Sequence, residues 1–518
     1  MMSNSIYYSY KRIINPVLFS LLLSACSAKP ILFPESKHDY CADIEKKSSP
    51  MLSTYLTPVT DKMANQTGVY VLEQGIEAML SRAWLTKHAE ETIDVQYFIF
   101  STDNIGLIAT DYLVKAADRG IKVRVLVDDI MVEANGEDLL TLSKHKNLSI
   151  KIYNPMVNIG KNVFDKVINL TTNFHQLNQR MHNKTFTVDG QVSITGGRNV
   201  ADEYFGYDHE YNFRDRDVLL VGGAANDIQT SFDQFWESDL SVDVKELIKD
   251  HEQSTAVPNF TALHEYACNP ENFVPSVRKK IKNIPFAIDE IQKNQELQWV
   301  TGVEYVSDIP GKNDQTDFLA GSGISTERLV ELLRSAKTSV VIQTPYLITT
   351  KYTRSHFKAL VDKGVEVKIL TNSLASNDNL EAFSGYQRNR KDLLKTGVQI
   401  YEFKPDAQIR RKIMSEVMQK QLEHAPIFGL HAKTMVIDDN IAVIGTFNLD
   451  PRSTHLNTEN FVVIPSKKMA EEVKFGMLEE MQPENAWRVT LDWNPDGEVS
   501  KLKQLGVKLR RVVPKNIL

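Results

Sequence analysis

The feature that most constrains the fold of this chain is an 18-residue pattern that occurs twice. The first copy runs from His182 to Asn199, and the second runs from His431 to Asn448. In both copies a lysine follows the histidine by two residues, and an aspartate follows that lysine by five. A single copy would be weak evidence in a chain of 518 residues, but two copies in one register indicate an internal duplication.

Each copy has the pattern of a β-hairpin. Apolar and polar residues alternate after the histidine, and a second apolar run follows a turn at Asp189 or Asp438. Because side chains alternate along a strand, the histidine and the lysine should point from the same face. We expect the two turn aspartates to stabilise the hairpins rather than to take part in chemistry. We expect close backbone packing at the glycines that end the second run, Gly196, Gly197 and Gly445.

These residue types suit chemistry at a phosphodiester. A neutral imidazole can attack phosphorus, and a protonated imidazole can donate a proton to the departing alkoxide. A lysine places positive charge against the phosphoryl oxygens, and an asparagine donates further hydrogen bonds. Two copies that face each other would supply a nucleophile, an acid and an anion site without a metal or another cofactor. The candidate residues are His182, Lys184 and Asn199 in the first copy and His431, Lys433 and Asn448 in the second.

The two patterns resemble the H-x-K-x4-D motifs of the phospholipase D superfamily. The resemblance covers residues 68 to 515 and includes the phrases Asp94-Val-Gln-Tyr97 and Phe447-Asn-Leu-Asp-Pro-Arg-Ser453. These phrases are similar to the bacterial cardiolipin synthases that face the periplasm. The resemblance implies a two-step reaction in which one histidine forms a phosphohistidine while the other protonates the departing alcohol and then activates the acceptor. We assign the nucleophile to His182 and the acid and base role to His431.

The resemblance also implies a carboxylate that orients each histidine and holds its tautomer. The matching positions are Asp217 and Glu459, which both precede apolar strands. The simpler alternative is that these two acids lie at strand edges without a catalytic role. For the histidines the alternative is an ordinary buried or surface position, and the duplicated pattern argues against it.

By resemblance, the expected reaction transfers a phosphatidyl group from phosphatidylglycerol or phosphatidylethanolamine to the hydroxyl of phosphatidylglycerol. Hydrolysis to phosphatidic acid is an alternative, because the two reactions differ only in whether an alcohol or water reaches the phosphohistidine. An endonuclease is a further alternative, but the net charge of -6 gives no electrostatic reason to expect a nucleic-acid partner. A catalytically inactive, lipid-binding surface lipoprotein would have no need of both histidines. We expect a monomer.

The first residues have the pattern of a bacterial lipoprotein signal. A short basic region precedes a short apolar run, and Leu23-Ser-Ala-Cys26 resembles a lipobox. We expect a signal peptide at residues 1–25, lipidation of Cys26 and a linker over residues 26–66, with a plain secretory signal or a buried N-terminal helix as alternatives. The protein would then be tethered to a membrane surface in the envelope of a Gram-negative bacterium and face the periplasm. Ser27 after the cysteine favours the outer membrane.

The remaining cysteines, Cys41 and Cys268, could pair in an oxidising compartment, and the sequence leaves this open. The chain has neither a Cys/His cluster with zinc spacing nor an acidic calcium-binding loop. We therefore predict no metal site.

Helix and strand patterns alternate in both halves of the chain. In the first half they occupy residues 67–127, and residues 326–370 repeat their order. The sequence therefore predicts two pseudo-symmetric α/β lobes of the phospholipase D type, each with a mostly parallel mixed sheet flanked by helices. We place the lobes at residues 67–251 and 317–518, with a connector at 252–316 and the active site at the lobe interface.

The least regular part of each half, at residues 154–180 and 403–428, precedes its motif at a matching position. These segments fit amphipathic helices that admit an acyl chain or rest on a bilayer. They fit packed helices with solvated charged faces equally well.

Overall fold

The computed structural model describes residues 51–131, 134, 136–155, 178–248, 258–272, 297–313, 322–414, 426–514 and 518. The predicted signal peptide, Cys26, Cys41 and much of the two irregular segments at 154–180 and 403–428 lie outside these residues. Among the helices of the described residues, none combines the length and the apolar character that crossing a bilayer requires.

The described strands of the first half form one large sheet, except for β7. They are β1 (Thr67–Leu72), β2 (Thr92–Tyr97), β3 (Lys122–Asp128), β4 (Leu148–Tyr153), β5 (Thr185–Val188), β6 (Val192–Gly196), β7 (Tyr211–Arg214), β8 (Asp217–Gly222), β9 (Ser241–Asp243) and β10 (Gln298–Val300). The strand order across this sheet is β10-β1-β8-β6-β5-β2-β3-β4-β9.

The described strands of the second half form an equivalent sheet, except for β15. They are β11 (Glu304–Ser307), β12 (Ser339–Gln343), β13 (Glu366–Asn372), β14 (Gln399–Phe403), β15 (Ile427–Leu430), β16 (Lys433–Ile437), β17 (Ile441–Gly445), β18 (Asn460–Ile464) and β19 (Ala486–Val489). The strand order across this sheet is β11-β18-β17-β16-β12-β13-β14-β19.

Helices connect and flank these strands. The described α-helices are α1 (Leu52–Leu56), α2 (Thr60–Met63), α3 (Gly75–His88), α4 (Asn104–Asp118), α5 (Gly136–Ser143), α6 (Asp202–Phe205), α7 (Gly223–Trp236), α8 (Val244–Leu247), α9 (Thr261–Cys268), α10 (Ile324–Ser335), α11 (Lys351–Asp362), α12 (Leu380–Leu394), α13 (Arg410–Ile413), α14 (Pro451–His455), α15 (Lys467–Glu480) and α16 (Lys501–Leu509). Short 3-10 helices lie at Thr57–Val59, Asp129–Met131, Pro270–Asn272, Pro495–Glu498 and Arg510–Val512.

The two sheets confirm the predicted pseudo-symmetry. Eight consecutive strands of the first sheet, from β1 through β8, β6, β5, β2, β3 and β4 to β9, correspond one to one with the eight strands of the second. Each motif forms an antiparallel hairpin in the middle of its sheet, as β5–β6 or β16–β17. The chain is thus built from two α/β lobes of the same topology.

The prediction that each sheet is mostly parallel is wrong. In the first sheet only the β2–β3 and β3–β4 pairs are parallel, and in the second only β12–β13 and β13–β14. The remaining pairs of both sheets are antiparallel. The alternation of helix and strand that led to the prediction covers only these three-strand units, where crossover helices allow parallel pairing. Short turns make the hairpins β5–β6 and β16–β17 antiparallel, and other neighbours such as β1 and β8 are antiparallel although they are far apart in sequence.

Two predicted boundaries also change. The segment 252–316 is not only a connector, because β10 is an edge strand of the first sheet and β11 is an edge strand of the second. The expected linker over residues 26–66 folds onto the first lobe in its described part. Leu52 and Leu56 of α1 are buried in the core of that lobe, and the Tyr55 ring packs 5.1 Å from the ring of Trp84.

The two sheets share one apolar core. Buried side chains of β1 and β8, such as Val69 and Leu220, belong to the same cluster as Val436 of β16 and Ile444 of β17. Burial of apolar area on this scale is the main driving force for association of structural units. The shared core fixes the two lobes against each other, and so it fixes the relative position of the two motifs.

A second contact between the lobes lies beside the histidine of the second motif. Strand β7 of the first half pairs in parallel with β15 of the second half, from Tyr211 opposite Ile427 to Arg214 opposite Leu430. Arg214 is followed by Asp215, and Leu430 is followed by His431. This small sheet therefore brings the end of β7 beside the second histidine.

The turn aspartates tie each hairpin to the start of a neighbouring strand. Asp189 has a φ of 51°, and its carboxylate accepts hydrogen bonds from three backbone N–H groups at residues 90–92, at 2.8–2.9 Å. Asp438 has the same φ and accepts from the N–H groups of residues 337–339 at 2.8–3.0 Å. The positive φ fits the tight hairpin turn. Both aspartates thus have structural contacts at the far end of the hairpin.

Candidate active site

Each motif histidine contacts a carboxylate of the opposite lobe. The Nδ1 atom of His182 lies 2.8 Å from Oε2 of Glu459, and the Nδ1 atom of His431 lies 2.6 Å from Oδ2 of Asp215. All four side chains are buried. Because each pair spans both lobes, neither lobe alone contains both partners of either pair.

Backbone hydrogen bonds also link each histidine to the opposite lobe. The N–H of His182 donates to the carbonyl of Thr458 at 3.0 Å, and the N–H of His431 donates to the carbonyl of Arg214 at 2.8 Å. Thr458 and Arg214 are the residues immediately before Glu459 and Asp215. Each histidine is therefore held at its ring and at its backbone by two adjacent residues of the other lobe, which restricts both its position and its rotation.

The prediction that Asp217 orients a histidine is wrong. The structure gives this contact to Asp215, whereas the carboxylate of Asp217 pairs with Arg82 at 2.8 Å and accepts from the N–H of Arg198 at 3.2 Å. In the sheets Asp217 lies opposite Gly196, as Phe461 lies opposite Gly445. Asp217 is thus equivalent to Phe461, and two residues along an extended chain move a side chain by about 7 Å.

The signal for Asp215 is present in the sequence. A separation of 244 residues pairs Gly120 with Gly364, two glycines that end equivalent helices, and the same separation pairs Asp215 with Glu459. The hairpins themselves are separated by 249 residues. Counting back 244 residues from Glu459 leads to Asp215. Aligning the apolar strands that follow the two acids leads to Asp217 instead.

Gly197 makes room for this contact. A Cβ atom at Gly197 would lie 2.1 Å from Oδ1 of Asp215, which is far inside the contact distance of real atoms. The equivalent residue of the second motif is Thr446, whose hydroxyl donates to Oε2 of Glu459. Ser453 also donates to Glu459, through Oε1 at 2.7 Å. The two carboxylates therefore have different surroundings.

The two lysines form a buried cationic centre. The Nζ atom of Lys433 lies 2.7 and 2.9 Å from the two ring nitrogens of His431, and Nζ of Lys184 donates to the carbonyl of His182 at 2.8 Å. Burial and the nearby charge of Lys433 together lower the pKa of Lys184 to about 7. Burial lowers the pKa of Lys433 to about 8. A bound phosphate anion would offset both effects, so this centre is suited to a phosphodiester.

Both imidazoles are neutral at pH 7 in the unliganded site. Burial lowers the pKa of His431 to about 3, with a further contribution from Lys433 and opposition from Asp215. Burial also lowers the pKa of His182 well below its ordinary value, and Lys184, Lys433 and Arg452 act in the same direction. A neutral imidazole whose Nδ1–H donates to a carboxylate presents the lone pair of Nε2 to a substrate.

The two carboxylates titrate in different ranges. Burial alone would raise the pKa of Asp215, but His431, Lys433 and Arg198 hold it well below its ordinary value. Burial raises the pKa of Glu459 to about 7, against the opposing effects of Thr446 and Lys184. At neutral pH Asp215 is ionised, while Glu459 is divided between its two protonation states. The two halves of the site are therefore not chemically equivalent.

The two asparagines have different contacts. The side chain of Asn199 accepts from the N–H of Ile99 at 3.1 Å and donates to the hydroxyl of Tyr204 at 2.8 Å. The N–H of Asn448 donates to Oγ of Ser453 at 3.2 Å, and its buried Oδ1 has no hydrogen-bond partner within the described part of the chain. Phosphate binding by the two asparagines stays a prediction. Asn199 also supports Tyr204, whose ring packs edge-on 5.1 Å from His431.

Aromatic residues that the sequence did not single out line both histidines. The ring of Phe98 packs edge-on 5.1 Å from the ring of His182, and the ring of Phe213 lies 4.7 Å from that of His431. Phe98 directly follows β2, and Phe213 is in β7. These apolar rings strengthen the electrostatic interactions of the site because they lower the local dielectric constant.

A carboxylate and two tyrosines lie on the His431 side of the site. Oδ2 of Asp378 accepts from the hydroxyl of Tyr346 at 2.8 Å, and the hydroxyl of Tyr211 donates to the carbonyl of Ser376. Asp378 reaches solvent, but protein encloses its other sides, and this burial raises its pKa; Lys433 opposes that rise. Asp378 is therefore a solvent-exposed acid within electrostatic range of the cationic centre.

One group of side chains within the described residues has metal-ligand geometry. One ligand atom from each of Asp111, His264 and Cys268 falls within 4.8 Å of the others. Cys268 is disulfide-bonded, so it has no thiolate to offer a metal, and Cys41 lies outside the described residues. The remaining two residues are too few for a structural metal site.

The comparison with known protein families gives one match in each lobe. The family model of the cardiolipin synthase, phospholipase D-like domain matches residues 85–236 and 329–477. The chain belongs to this family. It is therefore an enzyme of the phospholipase D superfamily, in the class of phosphodiester transferases and hydrolases. The resemblance seen in the two motifs is confirmed.

Related proteins match this chain over most of its length. Cardiolipin synthase C of Escherichia coli strain K12 is 32% identical over 451 residues, which cover 86% of this chain and 90% of that protein. An uncharacterised protein of Helicobacter pylori strain 26695 is 32% identical over 453 residues, 86% of each chain. The crystal structure of phosphatidylserine synthase from Haemophilus influenzae covers 90% of this chain and all of its own, with a TM-score of 0.58 and 15% identity. This last similarity concerns the fold.

Proposed function

We propose that this enzyme is a phosphatidyltransferase of the cardiolipin synthase type, which moves a phosphatidyl group between phospholipids through a phosphohistidine. The observation that carries the proposal is the pair of histidine–carboxylate contacts across the lobe interface, together with the two buried lysines. This arrangement offers two activated imidazoles and one cationic centre to a single phosphodiester. The 32% identity to cardiolipin synthase C supports phospholipids as the substrate class.

In the proposed first step, Nε2 of His182 attacks the phosphorus of the donor lipid. A nitrogen–phosphorus bond forms, the bond from phosphorus to the head-group oxygen breaks, and His431 gives its proton to that oxygen. In the second step, neutral His431 takes the proton of the acceptor hydroxyl, whose oxygen attacks phosphorus and displaces His182. The lysines would balance the charge that develops on the phosphoryl oxygens in both steps.

The electrostatics favour this division of roles. His431 contacts the ionised Asp215, which stabilises the imidazolium form needed for an acid. His182 contacts Glu459, which is only partly ionised at neutral pH, and three cations oppose protonation of its ring. His182 is thus the better neutral nucleophile. The substrate phosphate adds negative charge beside His431 and would raise its pKa from about 3 toward the working range.

We also propose that the enzyme is a lipoprotein, anchored through Cys26 to a membrane of a Gram-negative envelope and facing the periplasm, with the outer membrane favoured. The lipobox-like sequence before Cys26 supports this location. Metabolic labelling with a radioactive fatty acid tests it. The wild-type chain should carry the label, and the Cys26→Ala variant should not.

A product assay tests the reaction itself. The enzyme would be incubated with phosphatidylglycerol, alone and with phosphatidylethanolamine, in a chelator, and the lipids would be identified by mass. Cardiolipin as the main product supports the transferase proposal, and labelled head groups identify the donor. Phosphatidic acid as the main product would instead assign a hydrolase. The His182→Ala variant should give neither product, while His356→Ala, which changes a histidine of α11 outside the site, should match the wild type.

A further inference from the structure

The last described helix, α16, presents an apolar face to solvent. The side chains of Leu502, Leu505, Leu509 and Val512 are 81%, 52%, 65% and 79% exposed. Their spacing of three, four and three residues puts them on one side of the helix and of the 3-10 turn that follows it. Single exposed apolar residues are common on protein surfaces, but four on one face form a continuous patch that indicates an interaction site.

The same segment is strongly basic. Residues 499–514 contain Lys501, Lys503, Lys508, Arg510 and Arg511 and no acidic residue, in a chain whose net charge is -6. Arg510 pairs with Glu381 of α12 at 2.6 Å, and Arg511 donates to Gln387 of the same helix at 2.8 Å. Lys501 and Lys508 are exposed. The helix thus combines an apolar face with a positive rim.

α16 is firmly held in this orientation. Val507, on the side opposite the exposed leucines, is completely buried in the core of the second lobe. Arg388 of α12 donates to the carbonyls of Arg511 and Val513, both at 3.0 Å. The apolar face therefore points outward because the other face is used for packing, and not because the helix is detached.

α16 contacts a loop on the His431 side of the active site. Nζ of Lys503 lies 3.4 Å from the carbonyl oxygen of Ala375, in the loop that carries Asp378. Asp378 acts electrostatically on Lys503 and also on Lys433 of the second motif. Asp378 is thus within electrostatic range of both the helix and the cationic centre.

We propose that α16 docks on the surface of an anionic phospholipid bilayer and seats the mouth of the active-site cleft on it. The leucines would enter the boundary between head groups and acyl chains, and Lys501 and Lys508 would contact lipid phosphates. In a symmetric dimer the basic rims of two copies of α16 would face and repel each other, whereas an anionic lipid surface attracts such a rim. The proposal rests on the proposed function in that the substrate is a membrane lipid.

Hydrogen exchange of the full chain tests the docking without any assay of activity. With vesicles of phosphatidylglycerol, amides of residues 501–512 should exchange several-fold more slowly than with neutral phosphatidylcholine vesicles or without vesicles. The comparison segment is α15, which exposes a single large apolar residue, Phe475, and should not change. Equal exchange of residues 501–512 under all three conditions would overturn the proposal, whatever reaction the enzyme catalyses.

A kinetic comparison tests the consequence for turnover. The variant Leu502→Glu/Leu505→Glu/Leu509→Glu should lose roughly tenfold or more of its activity on phosphatidylglycerol vesicles, because it cannot enter the lipid boundary. It should keep wild-type activity on short-chain phosphatidylglycerol below its micelle concentration. The control variant changes three exposed apolar residues elsewhere on the second lobe, Ile324, Tyr352 and Phe475, to glutamate and should keep both activities.

Unchanged activity of the leucine variant on vesicles would overturn the membrane proposal, and so would an equal loss of activity in the control variant. A wild-type oligomer that becomes monomeric in the leucine variant would also overturn it, because the apolar face would then belong to a contact with a second copy. A Leu502→Ser/Leu505→Ser/Leu509→Ser variant repeats the test without added charge if the glutamates impair folding. A protein that binds vesicles through α16 but transfers no lipid would contradict only the proposed function.

Discussion

The Nδ1 atom of His431, in the second lobe, lies 2.6 Å from Oδ2 of Asp215, in the first, although 216 residues separate them in sequence. The neighbouring acid Asp217 pairs with Arg82 instead. Two acids on one short segment thus have separable roles, one in orienting a histidine and one in holding the first lobe together.

Exchanging each acid for its amide should separate these roles. We expect Asp215→Asn to lower kcat by about 100-fold or more, because an amide neither fixes the required tautomer of His431 nor stabilises its protonated form. Asp217→Asn should retain most of the turnover per folded molecule but lose about 3 kcal/mol of stability, because a buried ion pair is broken. Steady-state kinetics and thermal unfolding check both variants. Equal kinetic losses would contradict the assignment to Asp215.

The pH dependence of kcat/KM should be bell-shaped, with an optimum between pH 7 and 8. Glu459 accepts from Nδ1–H of His182 most strongly when ionised, and burial raises its pKa to about 7, so activity should rise as pH increases through this value. Lys184 and Lys433, whose pKa values are about 7 and 8, lose their charge as pH rises further, so activity should then fall. Glu459→Gln should be slower and should lack the inflection on the acid side.

A donor lipid with a p-nitrophenol head group should distinguish the two histidines. This leaving group departs without protonation, so His431→Ala should release about one equivalent of nitrophenol per enzyme in a burst and then stall as the phosphohistidine. His182→Ala should give no burst. Stopped-flow absorbance measures the release, and mass analysis locates the modified residue. A burst in the His182 variant alone would reverse the assignment of nucleophile and acid.

Gly197→Ala should impair the enzyme through Asp215. The added Cβ would lie 2.1 Å from the carboxylate oxygen, so the carboxylate must move away from His431. We expect a kinetic defect similar to that of Asp215→Asn and a loss of about 1–3 kcal/mol of stability. Gly476→Ala in α15, where a Cβ meets nothing within 4 Å, is the matched control and should gain about 0.5 kcal/mol with normal kinetics. Chemical denaturation and kcat measure both effects.

Local patterns predicted much of this protein correctly. The duplicated motif located both hairpins, and the alternation of helix and strand predicted two equivalent lobes. The positions of Asp189 and Asp438 at the turns followed from turn chemistry, which depends on a few adjacent residues. The mostly parallel sheets were predicted wrongly, because strand pairing depends on how the chain returns between strands and not on the strand pattern itself.

The sequence by itself determined which groups are available: two histidines, two lysines and their spacing within each hairpin. Only the tertiary structure decided which carboxylate meets which histidine. Both contacts join residues more than 200 positions apart, 277 for His182 with Glu459 and 216 for His431 with Asp215. They form because a shared apolar core and the β7–β15 pair hold the two lobes face to face. Spacing within a strand is set by covalent geometry, whereas contacts between lobes depend on packing of the whole chain.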